Sequence, residues 1–232
     1  MLDAWQAGGL CLNSGVISKS NIFAHRGLHS EQVKGNSLPA IRAALESGFS
    51  VETDIRDRLG KVLVEHDPPS SNPNELLELS EILQIGRSGS QILALNVKAD
   101  GLYPLLRNYE LGQHFFFDMS LPESLKYRKH RASTAARASE FEHYDVNGIE
   151  KESAWVWLDC FEGDWFLEID VKITFPDRYV VLVSPELHGR NPRDSWLWAV
   201  SEIKTGSQLG ICTDLPHEFV EFAEEQGLIY GD

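Results

Sequence analysis

The chain is predicted to be an α/β protein of the (β/α)₈ or TIM-barrel type, one compact domain over residues 1–232. Three observations predict it. Eight short runs rich in β-branched or aromatic residues recur along the sequence, and most are followed by a segment with helical signals. Several of these runs are almost wholly apolar, as parallel strands buried on both faces must be. Shared among eight units, 232 residues leave 29 for each, which is tight but sufficient for a small barrel. An open doubly wound sheet has a similar alternation, and periodicity does not separate the two.

The predicted strands are 21–25 (NIFAH), 50–55 (SVETDI), 92–97 (ILALNV), 114–119 (HFFFDM), 131–136 (RASTAA), 154–159 (AWVWLD), 179–184 (YVVLVS) and 209–214 (LGICTD). Between them, Ser37 to Ser47 carries Leu38, Ile41 and Leu45 at helical spacing, with Gly48 as a stop. A helix from Asn74 or Glu75 to Gln84 has Leu76, Leu79 and Leu83 on one stripe. Asp100 is a candidate cap for a helix ending near Gly112. Ser120 to Arg131, Pro192 to Lys204 and Leu215 to Gln226 complete the set. Segment 138–153 reads as a polar loop with a short helix, and 163–177 suits either a helix or an extended run.

A formal net charge of −14 with no basic run argues against binding nucleic acid or an anionic membrane. An acidic protein that handles a phosphate ester needs a locally positive pocket or a bound cation. Cys11, Cys160 and Cys212 are too scattered for a disulfide framework or a zinc motif. With no signal-like start and no apolar run near the ~20 residues that span a bilayer, a cytoplasmic location is expected. No pattern sets an oligomeric state. The P-loop, the dinucleotide fingerprint, the zincin helix and the serine-esterase elbow are all missing from the sequence.

Three clusters carry chemistry. In FAHRG (23–27), His25 and Arg26 would emerge at the carboxyl end of the first strand, where barrel active sites form. An imidazole can move a proton there and a guanidinium can grip phosphate, although such a pair alone is more often structural. In VETDI (51–55), Glu52 and Asp54 share one strand face, and two bare inward carboxylates call for a hard cation such as Mg²⁺ or Ca²⁺. The plain alternative is a solvent-facing pair. In KVLVEHD (61–67), a bend at Leu59–Gly60 returns His66 and Asp67 toward those carboxylates. A second imidazole completes an acid/base pair, and Asp67 could orient it or simply shape a loop.

FAHRG, GNSLPAI with Asn36 and Leu38, VETDI and VLVEHDP resemble, in order and spacing, the N-terminal signature of the glycerophosphodiester phosphodiesterases, a family of phospholipase-C-like TIM barrels. The likeness covers about residues 22 to 68 and extends more loosely through ILALNVK and LGICTDLP. It implies a barrel acting as a phosphoric diester hydrolase on a small phosphodiester, through hydrolysis or cyclisation. It further implies that His25 and His66 are the acid/base pair, that Arg26 and Lys98 bind phosphate, and that Glu52, Asp54 and Asn96 hold a divalent cation.

Asn96 departs from the family, which has an acid there. A carbonyl oxygen can ligate Mg²⁺ or Ca²⁺ but adds no charge. A weaker site, a site completed by Asp118, Asp159 or water, and a non-catalytic barrel that binds a phosphorylated ligand are all consistent with it. The SPELHGR loop (184–190) is expected at the same rim as a specificity element, while Trp157, Trp165, Trp196 and Trp198 are expected in packing.

Overall fold

A computed structural model describes residues 16–68, 76–144 and 152–230, with Ile229 and Tyr230 described as backbone only. The strands are β1 (Val16–Ile17), β2 (Ile22–His25), β3 (Ser50–Arg58), β4 (Lys61–Val64), β5 (Leu93–Val97), β6 (His114–Phe117), β7 (Ala135–Ala138), β8 (Trp155–Leu158), β9 (Tyr179–Val183), β10 (Leu209–Thr213) and β11 (Ile229–Tyr230). The α-helices are α1 (Leu38–Glu46), α2 (Leu79–Leu83), α3 (Tyr103–Leu106), α4 (Leu121–Lys129), α5 (Val171–Thr174), α6 (Arg193–Lys204) and α7 (Pro216–Glu225). Strands β2, β3, β5, β6, β7, β8, β9 and β10 run parallel and neighbour one another in that order, with β10 returning to β2. A single parallel bridge, Phe116 to Thr134, joins β6 to β7 and brings the sheet round into a barrel. Off the barrel, β4 pairs antiparallel with β3, and β1 pairs with β11.

Side-chain parity explains how this sequence fills the barrel. Alternate residues of a strand face opposite ways. One set, including Phe23, Ala94, Phe115, Phe117, Ala135, Trp155, Trp157, Val181, Val183 and Cys212, forms a cluster drawn almost wholly from the strands. These are the inward residues. Phe115 stacks on Trp155 at 4.6 Å and Phe117 on Trp157 at 4.2 Å, so large rings on three strands are balanced by small residues elsewhere in the cluster. The opposite parity, such as Ile22, Ala24, Leu95, Val156 and Ile211, packs outward against helix residues including Ile41, Trp196 and Phe219.

Continuing the inward parity to the carboxyl ends reaches polar residues: His25 after Phe23, Asn96 and Lys98 after Ala94, Arg137 after Ala135, Asp159 after Trp157 and Asp214 after Cys212. Glu52 and Asp54 hold the equivalent places on β3, in register with His25 and Asn96 respectively. The mouth is polar because the apolar alternation stops there on strand after strand.

Several boundaries differ from expectation. The fifth barrel strand lies at Ala135–Ala138 rather than 131–136, since Arg131 has φ +57° and belongs to the turn ending α4. Asp100 caps nothing; α3 begins after Leu102, and the Asp100 carboxylate accepts from Ser120 Oγ at 2.8 and 2.9 Å. Segment 163–177 divides into a 3₁₀ turn at Trp165–Glu168 and the short α5. The helix expected from 74 or 75 to Gln84 begins only at Leu79, since Glu78 bridges to Leu63 of β4; residues 74 and 75, most of the 138–153 loop beyond residue 144, and Cys11 lie outside the described residues.

Candidate active site

The loop after β2 builds the first wall. Arg26 takes φ +57° and its N–H donates to the Glu52 carbonyl at 2.9 Å, tying the turn to β3. Gly27 follows at φ +82°, where a Cβ would lie 2.5 Å from the Ala40 carbonyl carbon at the start of α1; only glycine fits. The chain then returns so that the Asn36 N–H donates to the Arg26 carbonyl at 2.9 Å. Asn36, itself at φ +56°, donates from Nδ2 to Asp54 Oδ2 at 2.7 Å and accepts through Oδ1 from Thr53 Oγ1 at 2.7 Å. Asparagine tolerates this left-handed backbone better than most residues.

Asp54 is 1% exposed, and its charge is met on three sides. Besides Asn36, Arg26 Nε lies 3.0 Å from Oδ2 and Lys98 Nζ lies 3.4 Å from Oδ1. The two cations expected on phosphate thus flank this carboxylate. Lys98 also reaches Asp118 at 3.6 Å.

Glu52 is less closely met, with the His25 ring 3.9 Å from its Oε2. It is 2% exposed and its Oε2 accepts no hydrogen bond. Burial, then the neighbouring Asp54 charge, pushes its carboxyl up to about 7. Asn96, in register beside Asp54, likewise has a buried Oδ1 without a donor. Unpaired buried oxygens are costly, and here two of them adjoin an acid on neighbouring strands. An oxygen-only set with one full carboxylate, one carboxyl starved of positive charge and one spare carbonyl suits a hard cation.

His25 sits at the junction of these groups. Its Nδ1 is 2.7 Å from Asp214 Oδ1, and its Nε2 is 3.9 Å from Glu52 Oε2. Burial opposes the imidazolium, but the Asp214 bond and the Glu52 charge outweigh it and raise the ring above its usual value. Asp214 also meets His29 Nε2 at 2.9 Å. His66 lines the same cleft, a space of about 370 Å³ bounded also by His25, Arg26, His29, Asn36 and Asp214 among others. Its Nδ1 is 2.9 Å from Asp67 Oδ1, so the expected orienting contact is present. A second cavity of about 680 Å³ opens on the β5–β7 side, lined by Lys98, Asp118, Arg137 and Glu142 among others.

Sequence reasoning missed His29, Asp214 and Arg137. Arg137 gathers Asp118, Glu142 and Asp159, the last at 3.4 Å from Nη1. His188 adds a contact to Asp159 at 2.9 Å. Asp118 and Asp159 are therefore engaged in ion pairs at this rim. The loop from Ser184 to Arg190 does reach this rim, where it acts as a brace. Glu186 accepts from the Thr213 hydroxyl and the Asp214 N–H, and Arg190 pairs with Asp164. Trp157 and Trp196 are buried in packing, and Trp165 and Trp198 pack partly buried against the core, as expected.

No protein-family profile matches the chain, and no curated protein matches it in sequence. Solved structures do match its fold. A glycerophosphodiester phosphodiesterase from Thermotoga maritima superposes with TM-score 0.63 at 18% identity, covering 87% of this chain and 97% of that one. One from Parabacteroides distasonis gives 0.63 at 15%, covering 88% and 97%. A third, from Agrobacterium tumefaciens, gives 0.56 at 15%, covering 88% and 98%. At these identities the likeness is one of architecture: the chain has the single-domain (β/α)₈ barrel seen in these enzymes.

Proposed function

We propose that this chain is a divalent-cation-dependent phosphodiesterase acting on a small glycerophosphodiester-like molecule. The observation that carries the reading is the meeting, at one barrel mouth, of an Asp-held imidazole, a buried glutamate whose Oε2 accepts no hydrogen bond and a carboxylate clasped by Arg26 and Lys98. The enzymes that share the barrel support it, as does the spaced N-terminal signature.

Glu52, Asp54 and Asn96 would hold Mg²⁺ or Ca²⁺, which when bound neutralises charge on the phosphoryl oxygens. The chain's own groups do the rest. Arg26 and Lys98, already side by side on Asp54, present their remaining donors to the phosphate. Asp214 fixes the His25 ring through Nδ1 and leaves Nε2 facing the site. His66, held by Asp67, lines the same cleft. The two imidazoles divide the proton work: one takes the proton of the attacking oxygen, the other supplies the leaving alkoxide. The attacking oxygen belongs either to water or to a neighbouring substrate hydroxyl, the latter giving a cyclic phosphate.

The test is a panel of glycerophosphodiesters and a chromogenic phosphodiester, assayed with Mg²⁺, Ca²⁺ and Mn²⁺ in turn. Cation-dependent release is expected, with His25→Ala and His66→Ala each slowing it by about 10²–10⁴-fold. Product analysis separates hydrolysis from cyclisation. Binding of a phosphorylated ligand without turnover under any cation would replace this reading with a non-catalytic barrel.

A further inference from the structure

Beside the oxygen-lined pocket lies a donor set of different chemistry. His25, His29 and Asp214 each offer a ligand atom within 4.8 Å of the others, with His25 Nδ1 and His29 Nε2 both on Asp214 Oδ1, the one such group of three metal-ligating side chains among the described residues. We propose that His25, His29 and Asp214 form a site for a borderline transition-metal ion, Zn²⁺ being the best match, distinct from the hard-cation site and able to silence the enzyme by occupying His25.

The donor types argue for the metal. Two imidazoles and a carboxylate with an open fourth position are a common zinc arrangement, whereas Mg²⁺ and Ca²⁺ select oxygen. Tetrahedral Zn²⁺ with bonds near 2.0–2.2 Å needs its donors about 3.4 Å apart. The two His–Asp separations, 2.7 and 2.9 Å, are slightly tighter and relax by small side-chain rotations. The fold supplies the site ready-made. The β10–β2 pairing sets Asp214 next to His25, and the tight turn at Arg26 and Gly27 brings His29 round to the same carboxylate. The Thr213 hydroxyl and the Asp214 N–H are themselves held by Glu186, which stiffens the carboxylate's base. An entry path exists, since the three side chains are 20%, 29% and 31% exposed and line the open cleft.

The outer contacts also suit zinc. A metal-bound imidazole ordinarily directs its other ring nitrogen at a carboxylate or carbonyl. His25 Nε2 already faces Glu52 Oε2, 3.9 Å away and otherwise unpartnered. With Nδ1 on the metal, the neutral ring carries its remaining proton on Nε2. It then has no free lone pair with which to take a proton from an attacking oxygen.

The test uses the full chain and Zn²⁺ itself, titrated in competition with a chromogenic chelator in excess Mg²⁺. One equivalent should bind, Mg²⁺ should fail to displace it, and His29→Ala and Asp214→Asn should each weaken it by about tenfold or more. Asp54→Asn, at a carboxylate that touches Asn36, Arg26 and Lys98 and none of the three zinc donors, should leave Zn²⁺ bound while abolishing Mg²⁺-dependent turnover. Co²⁺ substitution of the unaltered protein gives a reading free of any folding defect: an intense visible d–d band marks a four-coordinate site. Unchanged Zn²⁺ affinity in folded His29→Ala, or a weak octahedral Co²⁺ spectrum, would overturn the proposal. The binding arms need no turnover, so zinc bound by an inactive protein would sink the phosphodiesterase reading and leave this one standing. Turnover without a zinc site would do the reverse.

Discussion

At the scale of single residues, charge accounting at the mouth decides how the site behaves. Asp54 is compensated by Arg26 and Lys98, which offset part of the cost of burying its charge. Glu52 lies next to that charge with its Oε2 unpaired, and Asn96 adds an oxygen but no charge. Asn96→Asp keeps the shape and supplies the missing negative charge. The cation-free protein should lose about 1–3 kcal/mol, because a further acid is buried beside Asp54. Mg²⁺ affinity should rise by about tenfold or more through the added charge. Isothermal titration and thermal denaturation, each with and without Mg²⁺, read the two effects, which must have opposite signs. Tighter Mg²⁺ binding without the cation-free penalty would mean that residue 96 is not buried beside Asp54.

At the scale of elements, turns and caps show where local rules hold and where they yield. Ser37 and Ser120 cap α1 and α4 with Pro in the first turn of each, as their sequences advertise. The β3–β4 hairpin also follows its sequence: a two-residue loop in which Leu59 and Gly60 both take positive φ, +51° and +79°. Leucine is the wrong residue there and is 83% exposed. Leu59→Asn should stabilise the protein by about 0.5–1 kcal/mol, raising Tm by about 1–4 °C; an unchanged Tm would mean the turn stores no strain. A less visible device is Glu140, whose carboxylate accepts from the backbone N–H groups of Phe161, Glu162 and Gly163 at 3.2, 3.0 and 2.9 Å, pinning the loop after β8. Burial opposes its charge, but those donors win and hold the carboxyl below its usual 4.5. A depressed acid stabilises the fold above its unfolded pKa, and the gain is lost as pH falls through the folded value. Glu140→Gln should therefore cost about 1–2 kcal/mol at pH 7 and progressively less below about pH 4, as Tm against pH for the two proteins would show. A Tm difference independent of pH would assign the loss to packing.

At the scale of the whole molecule, the βα alternation was legible in the runs and the barrel in the family resemblance, and His25, Arg26, Glu52, Asp54 and His66 could be singled out as candidates because their signature is local in the chain. What stayed hidden depends on closure. Asp214 follows His25 by 189 positions, and only the return of β10 to β2 brings them together. Arg137 was lost for a smaller reason: a strand placed a few residues early, at RASTAA, ends before the position whose inward parity makes it matter. That same strand is where closure is thinnest. Neighbouring pairs such as β5–β6 and β7–β8 each register four residues, yet β6 and β7 share one bridge, with Phe116 N–H bonded to the Ser133 carbonyl at 2.9 Å. Across that seam the Phe115–Trp155 and Phe117–Trp157 stacks hold the interior. Opening the seam breaks few backbone bonds, so β6 and β7 should exchange amide hydrogens by local opening, well before global unfolding. Protection factors there should fall about 10²-fold or more below those of β2, β3 and β10. Trp157→Leu removes one stack and should widen the gap, because the seam then depends more heavily on its single bridge. Equal protection around all eight strands would show instead that the barrel opens only as a whole, with the aromatic interior rather than the ladder setting its cooperativity.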